Sequence, residues 1–160
     1  MPITLAWTGD GAPRMEVAHV ELHERDLTAV GTQLGAAYEL RYRLEAELLR
    51  VEVVGDRSLD VPLDGADFFD LGWSPLFNSL PVLRDRLLEP GPAGDYVMRW
   101  VDVPSLRVTE SEQRYEPLGD LRVRFRADGF TADIQFDESA FVVDFPGIAR
   151  FIRGQAVPEA

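Results

Sequence analysis

The chain has 160 residues, of which 46% are hydrophobic and 28% charged, the composition of one globular domain rather than a disordered chain. Its formal charge of −12 and pI near 4.5 argue against nucleic acid as a partner, because binding phosphates requires a concentrated positive field. The absence of cysteine and lysine excludes disulfides, thiolate catalysis and Schiff-base chemistry.

The first ten residues have neither the basic stretch nor the continuous apolar stretch of a signal peptide. No apolar run approaches the length of a membrane span. We therefore expect a cytoplasmic protein without a membrane span. We expect one domain over residues 1–153 and a disordered tail over residues 154–160.

Alternation of apolar and polar residues predicts β-strands along most of the chain. In chain order, strands are expected at residues 15–23, 27–34, 39–44, 49–53, 106–115, 121–126 and 130–137. The last two flank Asp128 and Gly129, a dipeptide typical of a two-residue hairpin loop. That loop places Val123 opposite Ile134 and Arg124 opposite Asp133, so hydrophobic and charge complementarity favour the same register.

Residues 96–103 have apolar side chains on both faces of the predicted strand. Tyr96, Met98 and Trp100 alternate with Val97, Val101 and Val103. A strand that is apolar on both faces must be covered on both. The second cover has to be a helix, another sheet, a partner subunit or an apolar ligand.

One segment, residues 81–89, is predicted to be a helix, because Leu80, Leu83 and Leu87 follow at spacings of three and four. Asn78 or Ser79 would cap it, and the Pro-Gly-Pro run that begins at Pro90 would end it. A short turn of helix is also expected at residues 146–152. The fold class is therefore mainly β, an antiparallel many-stranded sheet with one or two short helices.

The strongest metal-site pattern is formed by His19, Glu21 and His23, which point the same way on a strand and would present two imidazoles and a carboxylate. The favoured interpretation is the polar face of an amphipathic strand. We predict no metal site and no cofactor.

Catalytic patterns are weak. None of the serines lies in a nucleophile elbow, and both histidines are in one strand. Carboxylates are abundant, with Asp64, Asp67 and Asp70 the densest group, so a carboxylate-based hydrolase stays an alternative. We predict that the chain is not an enzyme.

Several blocks together resemble the family of bacterial putative glycolipid-binding proteins. They are DLGWSPLFNSLPV at residues 70–82, WVDVPSLRV at 100–108, QRY at 113–115, FTAD at 130–133 and VVDFPG at 142–147, with looser matches YELRYRL at 38–44 and LAW at 5–7. The stretch between residues 54 and 68 departs from the family pattern, because it is short and lacks a tryptophan-bearing hairpin.

The resemblance implies a sheet rolled around a single short helix, a spiral β-roll that often forms a homodimer. It also implies a glycolipid or other amphipathic lipid as ligand, held in an apolar interior. The candidate lining is Trp73, Phe77, Met98 and Trp100, with Arg41 or Arg99 at a polar end and Asn78 as a hydrogen-bonding group for the head.

Two further functions stay open. The chain could be an interaction module that forms a homodimer and takes no small-molecule ligand, with the two-faced strand buried at the interface. It could also be the carboxylate-based hydrolase named above. The shape of the interior separates the three functions. A connected apolar tunnel favours lipid binding, a fully packed core favours the interaction module, and a polar cleft with paired carboxylates favours hydrolysis.

Overall fold

The structure is a computed structural model that describes residues 2–153. The predicted tail, residues 154–160, lies outside the described residues. Within them the chain forms thirteen strands, a 3-10 helix and one α-helix. The elements are β1 Ile3–Gly9, β2 Met15–His23, β3 Asp26–Leu34, β4 Glu39–Leu44, β5 Leu48–Val53, β6 Arg57–Pro62, β7 Phe68–Leu71, the 3-10 helix Pro75–Asn78, α1 Ser79–Asp85, β8 Gly94–Val101, β9 Val108–Gly119, β10 Arg122–Ala127, β11 Phe130–Phe136, β12 Val142–Phe145 and β13 Ala149–Phe151.

All thirteen strands belong to one sheet, in the order β6-β5-β4-β3-β2-β1-β13-β12-β11-β10-β9-β8-β7. Neighbours pair antiparallel except β7 and β8, which are parallel. The prediction of a mainly antiparallel β fold with one short helix is therefore confirmed. Among the described residues, no helix is long and apolar enough to cross a membrane.

The sheet must be strongly curled. Its two edge strands, β6 and β7, are separated by twelve inter-strand spacings, which in a flat sheet would place them about 58 Å apart. Pro62 ends β6 and Phe68 begins β7, and a link of that length reaches at most about 21 Å. The edges do not pair with each other, so the sheet is an open roll rather than a closed barrel.

The roll explains the two-faced strand. In β8, Tyr96 and Met98 belong to one apolar cluster, which also contains buried residues of β9 to β12. Val101 belongs to a second cluster, built mainly from β1 to β5. Helix α1 contributes Leu80 to one cluster and Val82 to the other. The two faces are therefore covered by the two halves of the chain's own sheet and by its helix.

The hairpin β10–β11 has the predicted register: Val123 pairs with Ile134, and Arg124 pairs with Asp133. The guanidinium of Arg124 donates to the carboxylate of Asp133 at 2.8 Å. Local alternation and one turn dipeptide were sufficient to predict this part of the sheet.

Two predicted helical segments differ in the structure. Helix α1 ends at Asp85 rather than near residue 89, because Arg86 adopts a left-handed conformation with φ 52° and its N–H bonds the Val82 carbonyl. The helical turn expected at residues 146–152 is wrong. Gly147, with φ 80°, makes a tight turn there, and the following residues form β13 between β1 and β12.

The strand expected at residues 106–115 also begins later and runs further, as β9 from Val108 to Gly119. Leu106 has a positive φ of 59°, which is incompatible with an extended strand.

Candidate binding pocket

A pocket of about 230 Å³ opens where β7 and β8 end, between the Trp73 loop and the hairpin β10–β11. It combines elements that are distant in sequence. Its lining residues are Asp70, Leu71, Gly72, Trp73, Ser74, Asn78, Trp100, Asp102, Phe125, Phe130, Phe145 and Ile148.

The lining is amphipathic. The polar groups come from residues 70–78 and from Asp102 after β8. The apolar groups are Leu71, Trp73 and Trp100 together with Phe125, Phe130, Phe145 and Ile148. Phe125 packs against Phe145 with ring centres 5.7 Å apart, and Phe130 contacts both rings. Phe130 is 40% exposed, so it forms an open apolar rim. The pocket therefore offers hydrogen-bonding groups and aromatic surface in one place.

The loop that carries Trp73 has an unusual local geometry. Gly72 donates its N–H to the Val101 carbonyl at 2.9 Å, and a Cβ at Gly72 would lie 3.3 Å from that same oxygen. Trp73 follows with a left-handed φ of 65°, and this residue is 46% exposed. The guanidinium of Arg14 lies 4.2 Å from the ring centre, a cation–π contact that orients the indole.

Buried polar side chains hold this loop from below. Ser74 donates its hydroxyl to Glu16 Oε2 at 2.9 Å, and Gln33 Nε2 donates to the Gly72 carbonyl at 3.2 Å. Glu16 is only 3% exposed, and this burial raises its pKa to about 8. The loop around Trp73 is thus tied to β2 and β3 on both sides of the tryptophan.

A hydrogen-bonded chain runs along the polar side of the pocket. Asn78 Nδ2 donates to the Tyr115 hydroxyl at 3.0 Å, and that hydroxyl donates to Gln113 Oε1 at 3.0 Å. Gln113 Nε2 then donates to Asp70 Oδ2 at 2.6 Å. Burial raises the pKa of Asp70 to about 6, although the bond from Gln113 opposes that rise. The chain fixes the orientation of Asp70 and Asn78.

The structure places three of the predicted ligand-binding residues in this pocket, namely Trp73, Asn78 and Trp100. The other four lie elsewhere. Phe77 packs edge-on against Tyr42, Met98 is buried in the cluster of β9 to β12, Arg41 pairs with Glu39 on the outer face, and Arg99 donates to the carbonyls of Leu63 and Asp64. A binding role for any of the seven stays a prediction.

The weak metal candidates His19, Glu21 and His23 lie on the exposed face of β2. His19 Nδ1 is 3.0 Å from Thr4 Oγ1, and His23 Nε2 is 3.2 Å from Thr28 Oγ1. Four residues along a strand separate the two histidines by about 13 Å, too far for one ion. Among the described residues, no group of three or more His, Cys, Asp or Glu side chains could hold a metal.

Sequence reasoning missed most of the polar wall and the phenylalanines of the apolar wall, although it included Trp73 and Trp100 in the candidate lining. Asp70 was noted only as part of an acidic group, and Phe125 and Phe145 have the alternation of ordinary core residues. For Asp70 and Phe145 the available signal is their position in the blocks that resemble one family, since four of those blocks contribute residues to the pocket. Phe125 lies outside these blocks.

Comparison with known proteins agrees with this resemblance. A family model described as "Putative glycolipid-binding" matches residues 53–150. The chain belongs to this family. The match spans β6 to the start of β13, and so includes every residue that lines the pocket. Residues 54–68, which depart from the expected family pattern, form a turn, β6 and the loop that leads into β7.

A similar fold is seen in the crystal structure of a DUF1089 family protein from Pseudomonas aeruginosa, with a TM-score of 0.67 and 20% sequence identity. The alignment covers 88% of this chain and 93% of the other. At this identity the likeness shows the fold alone. No curated protein is significantly similar to the chain.

Proposed function

We propose that the chain is a non-catalytic binding protein for a glycolipid or a similar amphiphile, and that the sugar head enters the pocket at Trp73. The observation that carries this proposal is the two-sided lining. Carboxylates and an amide face one part of the pocket, and an exposed phenylalanine rim faces another. A ligand with a polar head and an apolar chain matches both parts, which agrees with the description of the family.

The size of the pocket limits how much of the ligand it encloses. At about 230 Å³ it is smaller than the ~300–1,000 Å³ typical of pockets that enclose a drug-sized molecule. The sugar would therefore lie in the pocket, and the hydrocarbon chain of the ligand would leave over Phe130 rather than fill the interior of the roll. We also propose the cytoplasmic location and the homodimer expected from the sequence and the resemblance.

The test begins with protein purified under native conditions, organic extraction and mass spectrometry. We expect a glycolipid in stoichiometric amount.

In parallel, calorimetric titration with n-octyl β-D-glucoside below its critical micelle concentration measures binding directly. Trp73→Ala should weaken binding at least about tenfold by removing the exposed indole. The control Val30→Ala, an exposed apolar residue on the outer face of β3, should bind like the wild type. No extracted lipid together with no binding to the glucoside or a lipid panel would contradict the proposal.

An exposed apolar patch favours a second candidate, an interaction module that forms a homodimer without a ligand. Met15 on β2 pairs with Leu34 on β3, and Val17 lies diagonally across from Val30 on the same two strands. Each of the four is between 37% and 47% exposed. Exposed apolar residues grouped on an outer sheet face are typical of a protein interface. Light scattering on Val30→Asp tests whether this patch forms the dimer, since a buried aspartate should give a monomer. Titration of the wild type with the glucoside separates the candidates, because an interaction module without a ligand should not bind it.

A carboxylate-based hydrolase is the third candidate, and it has one observation in its favour. Asp70 and Asp102 line the same pocket, and the raised pKa of Asp70 is suited to proton transfer near neutral pH. Incubation with a panel of 4-methylumbelliferyl glycosides tests it. Hydrolysis predicts that the wild type releases the fluorophore and that Asp70→Asn does not. If the wild type releases no fluorophore from any glycoside of the panel, hydrolysis is contradicted.

A further inference from the structure

The charge of the pocket indicates which head groups it can accept. Two of its lining residues, Asp70 and Asp102, are carboxylic acids, and none of the described residues that line it is an arginine. Arg14 stacks on the Trp73 ring and is not part of the lining. The pocket therefore presents negative charge that no lining side chain neutralises.

In each carboxylate one oxygen accepts a hydrogen bond from the protein and the other oxygen is free to accept one from a ligand. Asp70 Oδ2 accepts the hydrogen bond from Gln113, and Asp102 Oδ2 accepts one from the Ser105 hydroxyl. Among the described residues, no side chain or backbone N–H donates to the second oxygen of either. Oriented carboxylate oxygens are strong acceptors for ligand hydroxyl groups.

The volume adds a second restriction. About 230 Å³ corresponds to roughly seven or eight water molecules at about 30 Å³ each. This space accommodates one sugar ring, and a second ring would lie outside the pocket. The indoles of Trp73 and Trp100 supply flat apolar surface for the C–H face of such a ring.

We propose that the pocket selects a single sugar ring without negative charge, whose hydroxyl groups donate to Asp70 and Asp102, and rejects heads that carry carboxylate, sulfate or phosphate. This inference rests on the proposed function and specifies the ligand class of the same site. An anionic head would place a like charge close to partly buried carboxylates, where water screens the repulsion poorly. The expected consequence is a loss of affinity of at least about tenfold.

The experiment compares octyl glucoside with octyl glucuronide, which share the octyl chain and the pyranose ring and differ in the carboxylate of the glucuronide. Binding is measured by calorimetry at pH 7.5 and below the critical micelle concentrations. The glucoside should bind at least about tenfold more tightly. Asp70→Asn should bring the ratio of the two affinities towards one, because it removes the repulsion while keeping the shape of the side chain. Glu21→Gln, which makes the same acid-to-amide change at an exposed position on the outer face of β2, should leave the ratio unchanged.

The outcomes distinguish the two proposals. Equal binding of both ligands to the wild type overturns the charge selection and leaves the proposed function standing. Binding of neither ligand overturns both. If Asp70→Asn does not fold, judged by its urea transition, Asp102→Asn takes its place, since Asp102 lies in a loop after β8. A ratio that neither variant changes also overturns the charge selection.

Discussion

The buried carboxyl of Glu16 should make the stability of the fold depend on pH, and Glu16→Gln should remove that dependence. Glu16 lies on the inward face of β2, is 3% exposed, and accepts a hydrogen bond from Ser74. Its second oxygen, Oε1, is buried without a partner among the described residues. Folding therefore favours the protonated carboxyl, and glutamine reproduces the shape and neutrality of that form.

The magnitude follows from the shift in pKa from 4.5 to about 8. Because the pKa of Glu16 is raised in the folded state, the contribution of this carboxyl to stability is fully present below pH 4.5 and is lost as the pH rises towards 8. Each unit corresponds to about 1.4 kcal/mol, so the wild type at pH 7 has lost about 3 kcal/mol through this group. Glu16→Gln should regain that amount at pH 7, an increase in Tm of about 6–12 °C for a chain of this size.

Urea unfolding, followed by tryptophan fluorescence at pH 4 and pH 7, measures both free energies of unfolding. We expect wild type and Glu16→Gln to differ little at pH 4 and by about 3 kcal/mol at pH 7. Glu21→Gln is the matched control, because it makes the same chemical change at an exposed position of the same strand. A variant that is less stable than the wild type at pH 7, or a difference that does not change with pH, would refute the reasoning.

Two further predictions concern packing. Phe69→Ala, at a 2% exposed position of the edge strand β7, should lower the free energy of unfolding by about 3–5 kcal/mol. Phe130→Ala, at a 40% exposed position, should cost much less. Equal losses in urea unfolding would contradict the burial of Phe69. Gly31→Ala should cost about 1–3 kcal/mol, because its Cβ would lie 2.2 Å from the ring of Tyr42. Gly91→Ala, in open space, serves as the control in thermal unfolding, and a similar Tm for both variants would argue against that contact.

The parts of the fold that could be predicted from sequence are those with local causes. The β10–β11 hairpin combines strict alternation with a turn dipeptide, so both its existence and its register follow from neighbouring residues. The two apolar faces of β8 likewise required cover on both sides. The sequence did not reveal that the sheet itself supplies that cover, because the roll depends on pairings between distant segments.

The insertion of β13 between β1 and β12 shows the same limit. Trp7 pairs with Phe151, and no local pattern in either short segment indicates the other. The candidate pocket is harder still to predict, since Asp70, Trp100 and Phe145 meet only after the sheet has curled. Glu16 was also missed, because alternation places it inward while its charge favours the surface. Its burial makes sense only with Ser74 beside it.

The most direct test of the binding function uses the three tryptophans of the chain as reporters. In ¹H–¹⁵N spectra each gives one indole N–H signal. Trp73 and Trp100 line the pocket, whereas Trp7 is buried and donates its indole N–H to the Val142 carbonyl at 2.8 Å. Titration with octyl glucoside below its critical micelle concentration should shift the signals of Trp73 and Trp100 in a saturable way and leave that of Trp7 in place. Unchanged signals for Trp73 and Trp100 at saturating glucoside would contradict the account.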